Sequence, residues 1–186
     1  MHGRFRIEGH AIVSEDGMVA AADGLMPNSL VFPSDKKLYE QALDRATLIA
    51  NGRLSYEGQA NSPRRRRLVL TRSVAGLAPD PHNPNARLWN PAGASLEEAC
   101  AALGVEEGVI AVVGGPFVFS LFLGFGYAAF HLSHAAGVHL PGGVPVFHEQ
   151  RTGRSPEDVL AEAGLKPGPV QRLDDGVTMV EWTRPA

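Results

Sequence analysis

Between Gly108 and Phe147 the chain carries no Asp, Glu, Lys or Arg; it begins GVIAVVGGPFVFSLFLGFGYAAFHL and ends GVHLPGGVPVF. A run so apolar has to be buried, either in a bilayer or at the centre of a domain. Val109 to Phe130 is long enough to be scored as a membrane-spanning helix. Gly114, Gly115 and Pro116 fall where such a helix needs unbroken backbone bonds, and Gly124 and Gly126 interrupt it again. The run therefore reads as a buried strand over Val109 to Val113, a tight turn, a helix over Phe117 to Leu123, and a returning strand over Tyr127 to Ser133. The first strand is short, continuously apolar and β-branched, as strands covered on both faces are. The glycine pair allows a sharp turn, and Pro116 suits the first helical position, where its missing N–H would be unpaired anyway. Backbone N–H groups at such a helix start suit a pyrophosphate, although a Gly-Gly pair also serves as a plain turn.

At 186 residues, with no internal repeat, the chain reads as one domain, residues 1–186, with one sizeable core. A net charge of −3 with both signs mixed gives no general pull toward nucleic acid or anionic lipid. The start, MHGRFRIEGHAIV, lacks the pattern of a secretory signal, so a cytoplasmic protein is expected. The single cysteine, Cys100, agrees with a reducing compartment and shares a helical face with Leu96, Ala99 and Leu103, as a packed thiol does. His131, His134 and His139 cluster in sequence, but on a strand the first two face opposite sides and no carboxylate is near in sequence, so no metal site is expected. Gly124, Gly126 and Ala129 fit GxGxxA, yet follow a helix and precede a strand, the reverse of the dinucleotide fingerprint. Arg64 to Arg67 is too short a basic run, without aromatic partners, to suggest nucleic acid, and reads as a solvated loop entering a strand.

In chain order, Phe5 to Val13 reads as the first strand. It leads into SEDGMVAAADGLMPNSLVFPSD, long enough to be a functional lid. Ser34 can cap a helix to about Asp44, with Leu38, Tyr39, Ala42 and Leu43 on one face. Ala46 to Ala50, Arg67 to Thr71 and Arg87 to Trp89 read as strands, the last after a loop APDPHNPNA. Ser95 to Leu103 opens with a capping box, as does a helix in RSPEDVLAEAGL, where Ser155 precedes Pro156 and Asp158. VQRLDDGVTMVEWT reads as a hairpin closing one sheet edge. Alternating strands and helices give an α/β domain with a largely parallel sheet, whose ligands bind at the carboxyl ends of its strands.

The order SEDGMVAA, PSDKKLYEQ, NGRLSYEG, RLVLTRS, VVGGPFVFSLFL and LPGGVPVF resembles the superfamily of dihydrofolate reductase and of the reductase domain of the riboflavin-pathway deaminase-reductase, over roughly Phe5 to Phe147. The resemblance implies a mixed, mostly parallel central sheet flanked by helices, completed by the C-terminal antiparallel hairpin. It implies hydride transfer from a nicotinamide cofactor to a pterin-like ring, or to the ribosylamino-pyrimidine of riboflavin synthesis. A ligand-binding protein that kept the fold without activity is the reading from another class. The LPGG-type strand implies a homodimer.

Carried over by residue, Gly114 and Gly115 match the glycine turn beside nicotinamide and pyrophosphate, flanked by Val113, Pro116, Phe117 and Val118. Gly52 and Arg53, with Leu54 and Ser55 opening a helix, match the second phosphate contact. Thr71, Arg72 and Ser73 match the segment that reads the adenosine 2′-phosphate, which favours NADPH over NADH. Asp35 matches the acidic residue that binds the substrate ring and supports its protonation, a task suited to a carboxyl whose pKa an apolar pocket raises. Ser133 matches a supporting hydroxyl, and Arg65 or Arg66 a cation for an anionic substrate tail, with Tyr39 beside it. The lid over Asp16 to Leu30 departs from the folate enzymes in having Asn28, not tryptophan, after Met26-Pro27.

Overall fold

The computed structural model describes residues 4–55, 61–174 and 176–185. The elements follow as β1 (Phe5–Ser14), β2 (Met18–Ala20), α1 (Pro33–Arg45), β3 (Leu48–Gly52), β4 (Arg67–Leu70), β5 (Leu77–Asp80), β6 (Asn83–Trp89) and α2 (Leu96–Ala101). They continue as β7 (Gly108–Val112), α3 (Pro116–Phe125), β8 (Ala129–Ala135), β9 (Val144–Pro145), α4 (Pro156–Glu162), β10 (Lys166–Pro167), β11 (Gln171–Asp174) and β12 (Val177–Thr183).

The charge-free run divides as its glycines require. Strand β7 is buried between β1 and β3, Gly114 turns the chain at φ +127°, Pro116 opens α3, and Gly126 at φ +89° ends it before β8. Among the described residues no helix is long and apolar enough to cross a membrane. The main sheet runs β10-β12-β8-β1-β7-β3-β4-β6-β5, with β11 paired to β12. Strands β8, β1, β7, β3, β4 and β6 are parallel, while β12 and β5 run antiparallel to β8 and β6 at the two sides. The tail hairpin therefore closes one side of the sheet, as expected. A separate pair, β2 with β9, ties the lid to the LPGG segment.

Alternation along the strands gives the sheet two unlike faces. One carries the main core, where Ile7, Leu48, Leu68, Ile110, Phe130 and Leu132 meet α2, α3 and α4 through Leu96, Phe119, Phe122 and Leu160. Cys100 is buried there and burial pushes its thiol up to about 12, so it is an inert packed group. Gly9 is fixed by contact: a Cβ there would lie 2.2 Å from the Phe130 ring. The other face is covered by α1, whose Leu43 and Tyr39 pack with Ile49, Ala111 and Val113.

Several boundaries differ from expectation. Helix α1 starts at Pro33 with Phe32 as N-cap and no side-chain cap bond, so Ser34 lies inside the first turn and caps nothing. The proline at N1 and the tertiary contacts of Tyr39 and Leu43 set the start instead. Strand β3 lies two residues later than Ala46 to Ala50, and APDPHNPNA is not a loop: Pro79 and Asp80 lie in β5 and Asn83 begins β6. Pro79 is tolerated because β5 is the outer strand. Both capping boxes form, at Ser95 with Glu98 and at Ser155 with Asp158.

Candidate functional site

Helix α1 delivers its first turn, and with it Asp35, to the carboxyl ends of the parallel strands. Burial raises the Asp35 carboxyl above its ordinary range, and a hydrogen bond with the Ser133 hydroxyl acts in the opposite direction. Ser133 is buried on β8, level with Ile12 of β1, so the hydroxyl comes from the sheet floor and the carboxyl from the helix above it. One turn on, Tyr39 has its hydroxyl pushed up to about 12 by burial, with the charges of Arg67 and Arg65 opposing and that of Asp35 assisting. Asp35, Tyr39 and two arginines thus share one electrostatic neighbourhood.

The arginines correct the reading of Arg64 to Arg67 as a solvated loop. Arg64 and Arg66 are exposed, whereas Arg65 and Arg67 are buried at 8% and 1% exposure. The extended chain entering β4 alternates, which sends every second arginine under α1. Arg65 donates to Asp44 Oδ1 of α1 through Nη2 at 2.5 Å and Nε at 3.2 Å. Arg67 donates to Asn51 Oδ1 at 3.3 Å and Ser62 Oγ at 3.0 Å. Arg67 is the residue the sequence reading missed, and the period of two just before a strand was the signal that could have found it.

The expected cofactor segments also converge. Gly52 N–H donates to the Gly114 carbonyl at 2.9 Å, and Gly115 N–H donates to Ser55 Oγ at 3.2 Å. Residues 52–55 form a turn closed by Ser55 N–H on the Gly52 carbonyl, so Leu54 and Ser55 do not open a helix as expected; the residues that follow lie outside those described. A Cβ on Gly114 would lie 3.3 Å from Ser55 Oγ, while one on Gly115 would meet nothing within 4 Å. The space over Gly115 is therefore open, at the start of a helix with no acidic residue in its first turn and no side-chain cap. An anion is favoured in such a place by the helix dipole. Val113 continues from β7, Val118 is buried and Phe117 half-exposed. Arg53 is exposed and Leu54 is 94% exposed, an uncovered aliphatic side chain beside the turn. Thr71, Arg72 and Ser73 follow β4 at the same sheet edge, with Thr71 Oγ1 accepting from Ser73 N–H at 3.1 Å and Arg72 exposed.

The lid is anchored at its base. The Asp16 carboxylate accepts from Ser14 Oγ at 2.5 Å and from the Leu140 N–H at 3.0 Å, and Glu15 accepts from the Gly137 N–H at 2.8 Å. Burial works against the Asp16 charge, but the Ser14 and Leu140 bonds prevail and hold its pKa below the usual value. A cavity of about 620 Å³ lies on the other side of β8, lined by Asp16, His134, Gln150, Arg154 and Glu157. His134 Nε2 lies 2.5 Å from Glu157 there, so it and Ser133, adjacent in sequence, serve opposite faces.

No protein-family model and no curated protein matches the chain in sequence. Solved structures do match it. A deaminase/5-amino-6-(5-phosphoribosylamino)uracil reductase from Thermotoga maritima superposes with a TM-score of 0.67 at 15% identity, over 99% of this chain and 58% of that one. The chain thus spans little more than half of the Thermotoga protein. A dihydrofolate reductase from Enterococcus faecalis, solved with NADP(H) and RAB-propyl, matches with a TM-score of 0.61 at 15% identity over 97% of both chains. The protein has the dihydrofolate reductase-like fold. A pyrimidine reductase-like protein from Corynebacterium diphtheriae shares this fold with a TM-score of 0.63 at 13% identity, over 96% of this chain and 91% of that one. Within the dihydrofolate reductase-like fold, the Asp35 carboxyl and the glycine turn lie at the carboxyl ends of the parallel strands, where such sheets hold their ligands, whereas Arg65 and Arg67 stand at the start of β4.

Proposed function

We propose that the protein is an NADPH-dependent reductase of a nitrogen heterocycle, with Asp35 as the group that controls protonation of the substrate. The observation that carries this reading is the half-buried Asp35 carboxyl, raised in pKa by that burial and near the Ser133 hydroxyl, at the sheet edge where the Gly52 and Gly114 turns are joined. The open space over Gly115 and the acid-free start of α3 fit the pyrophosphate of a dinucleotide. When bound, NADPH supplies the hydride.

The chain's own residues supply the rest. Reduction of a C=N bond leaves charge on nitrogen unless a proton arrives, and a carboxyl of raised pKa holds its proton to higher pH than an ordinary one. Ser133 fixes the orientation of that carboxyl, and Arg65 and Arg67, next to Tyr39, favour a substrate with an anionic tail. Arg72, between Thr71 and Ser73, suits a 2′-phosphate. The lid, held at Asp16, excludes water from the ring. A pterin-like ring is the first substrate reading. Reduction of 5-amino-6-(5-phosphoribosylamino)uracil is the second, favoured by the higher TM-score of the Thermotoga reductase. A cytoplasmic homodimer belongs to the same reading, and sedimentation of the purified protein tests the pairing.

The test is oxidation of NADPH by the purified protein with a dihydropterin and with the ribosylamino-pyrimidine, in wild type and Asp35→Asn. Turnover with one substrate, lost in the variant, is expected. Turnover unchanged in Asp35→Asn removes Asp35 from the mechanism, and a protein that binds these rings without turnover is a binding protein on a reductase scaffold.

A further inference from the structure

Beneath the far end of α1, toward the amino ends of the strands, β1 and β8 gather three side chains that no part of the reductase reading uses. Glu8 and His10 alternate on β1 and so share the face that α1 covers; His131 of β8 is the registered neighbour of His10. The two imidazoles stack with centroids 4.6 Å apart and planes within 5° of parallel. One donor atom from each of Glu8, His10 and His131 lies within 4.8 Å of the others. The cluster is not legible along the chain, because the carboxylate absent from the neighbourhood of His131 in sequence arrives across the sheet.

His10 is 8% exposed, it is turned into this cluster against His131, and its Nε2 is buried with no hydrogen-bond partner among the described residues. A buried polar nitrogen of this kind is costly unless something satisfies it. Stacking supplies contact to the ring faces and nothing to the nitrogen. Two imidazoles side by side could be charged only against one another, and burial, then His131 and Arg45, hold His10 down to about 3. Burial also lowers His131, against the pull of Glu181 and Glu8. An imidazole in its neutral form has one nitrogen lone pair to offer a metal.

We propose that Glu8, His10 and His131 form a binding site for a divalent transition metal of the zinc type, which clasps β1 to β8. Two imidazoles and one carboxylate are a ligand set suited to Zn²⁺, and to Co²⁺ or Ni²⁺ as substitutes, whereas Mg²⁺ and Ca²⁺ need more oxygen donors. Stacked imidazoles hold their in-plane lone pairs along parallel planes and cannot both aim at one ion, so binding turns the rings out of their stack. His131 is only partly buried and has the room to do so. Glu181, level with His131 on β12, is a further carboxylate beside the cluster. Arg6, which donates to Glu8 Oε1 at 2.5 Å, is the cation that the metal displaces or shares.

The test uses the full chain without a histidine tag, stripped with chelator and titrated with ZnCl₂ by calorimetry, with MgCl₂ as the control and CoCl₂ as the visible-absorption probe. One zinc per chain, a melting temperature that climbs with zinc but not with magnesium, and a tetrahedral cobalt spectrum are expected. Glu8→Gln and His131→Gln, both at partly exposed positions that keep the fold, are expected to weaken zinc binding by about tenfold or more each. Absence of zinc binding to wild type, or zinc binding equally strong in both variants, overturns the assignment. These readouts do not involve turnover, so they stand apart from the fate of the reductase reading.

Discussion

Asp35 and Ser133 meet between α1 and β8, a carboxyl from the helix and a hydroxyl from the sheet floor, where burial makes the carboxyl hold its proton more tightly than in the unfolded chain. The folded state then binds more protons than the unfolded state as pH rises from the unfolded carboxylate value of about 3.9 toward the folded one, and stability falls across that window. Asp35→Asn is expected to melt higher than wild type at pH 7, with the difference vanishing below about pH 3.9. Its turnover is expected to drop by about 10²- to 10⁴-fold. In wild type, kcat/KM should decline as pH rises through the folded-state value, because the proton donor is lost.

Gly114 and Gly115 separate fold from cofactor. Gly114→Ala places a side chain at φ +127° with its Cβ 3.3 Å from Ser55 Oγ, a strain of about 1–3 kcal/mol that chemical denaturation reads directly. Gly115→Ala meets nothing within 4 Å, so its stability is expected to stay within about 0.5 kcal/mol of wild type. Its methyl fills the space over the helix start, so the KM for NADPH is expected to rise about tenfold or more.

Asp16 holds the lid to the segment after β8 through Ser14 Oγ and the Leu140 N–H. Asp16→Ala is expected to cost about 0.5–1.5 kcal/mol. The Leu140 amide should exchange faster with solvent, and the KM for the heterocycle should rise as the lid loosens. Because the folded Asp16 pKa is depressed, its contribution is present above the unfolded carboxylate value and is lost as pH falls through the folded one. The exchange difference should therefore shrink in acid.

Arg67 tests the anionic tail. Arg67→Lys cannot reach both Asn51 and Ser62 with one ammonium, and is expected to raise the KM for a substrate carrying the tail about tenfold while leaving kcat nearly unchanged. A substrate analogue without the tail should show no such change.

Legibility followed locality. The Gly-Gly-Pro turn, both capping boxes and the C-terminal hairpin are local devices, and each forms where its residues stand. The helix of Asp35 was readable, though its start was not, because Pro33 and packing under α1 outweigh the capping tendency of Ser34. What sequence could not show depends on neighbours across the sheet. The Glu8, His10 and His131 cluster needs the pairing of β1 with β8, and the closeness of Phe130 to Gly9 needs the same register. Arg65 and Arg67 were half legible, since the alternation was present but the helix that covers them is remote in sequence.

The most direct measurement is a thermal-shift titration with NADPH, NADH and FMN on wild type and Gly115→Ala in parallel. Ligand that binds only the folded state raises the melting temperature with concentration. The expected result is selective stabilisation of wild type by NADPH, with little shift in Gly115→Ala despite an unchanged melting temperature without ligand. No shift of wild type with NADPH, or an equal shift in both proteins, contradicts a nicotinamide cofactor seated on the Gly114–Gly115 turn.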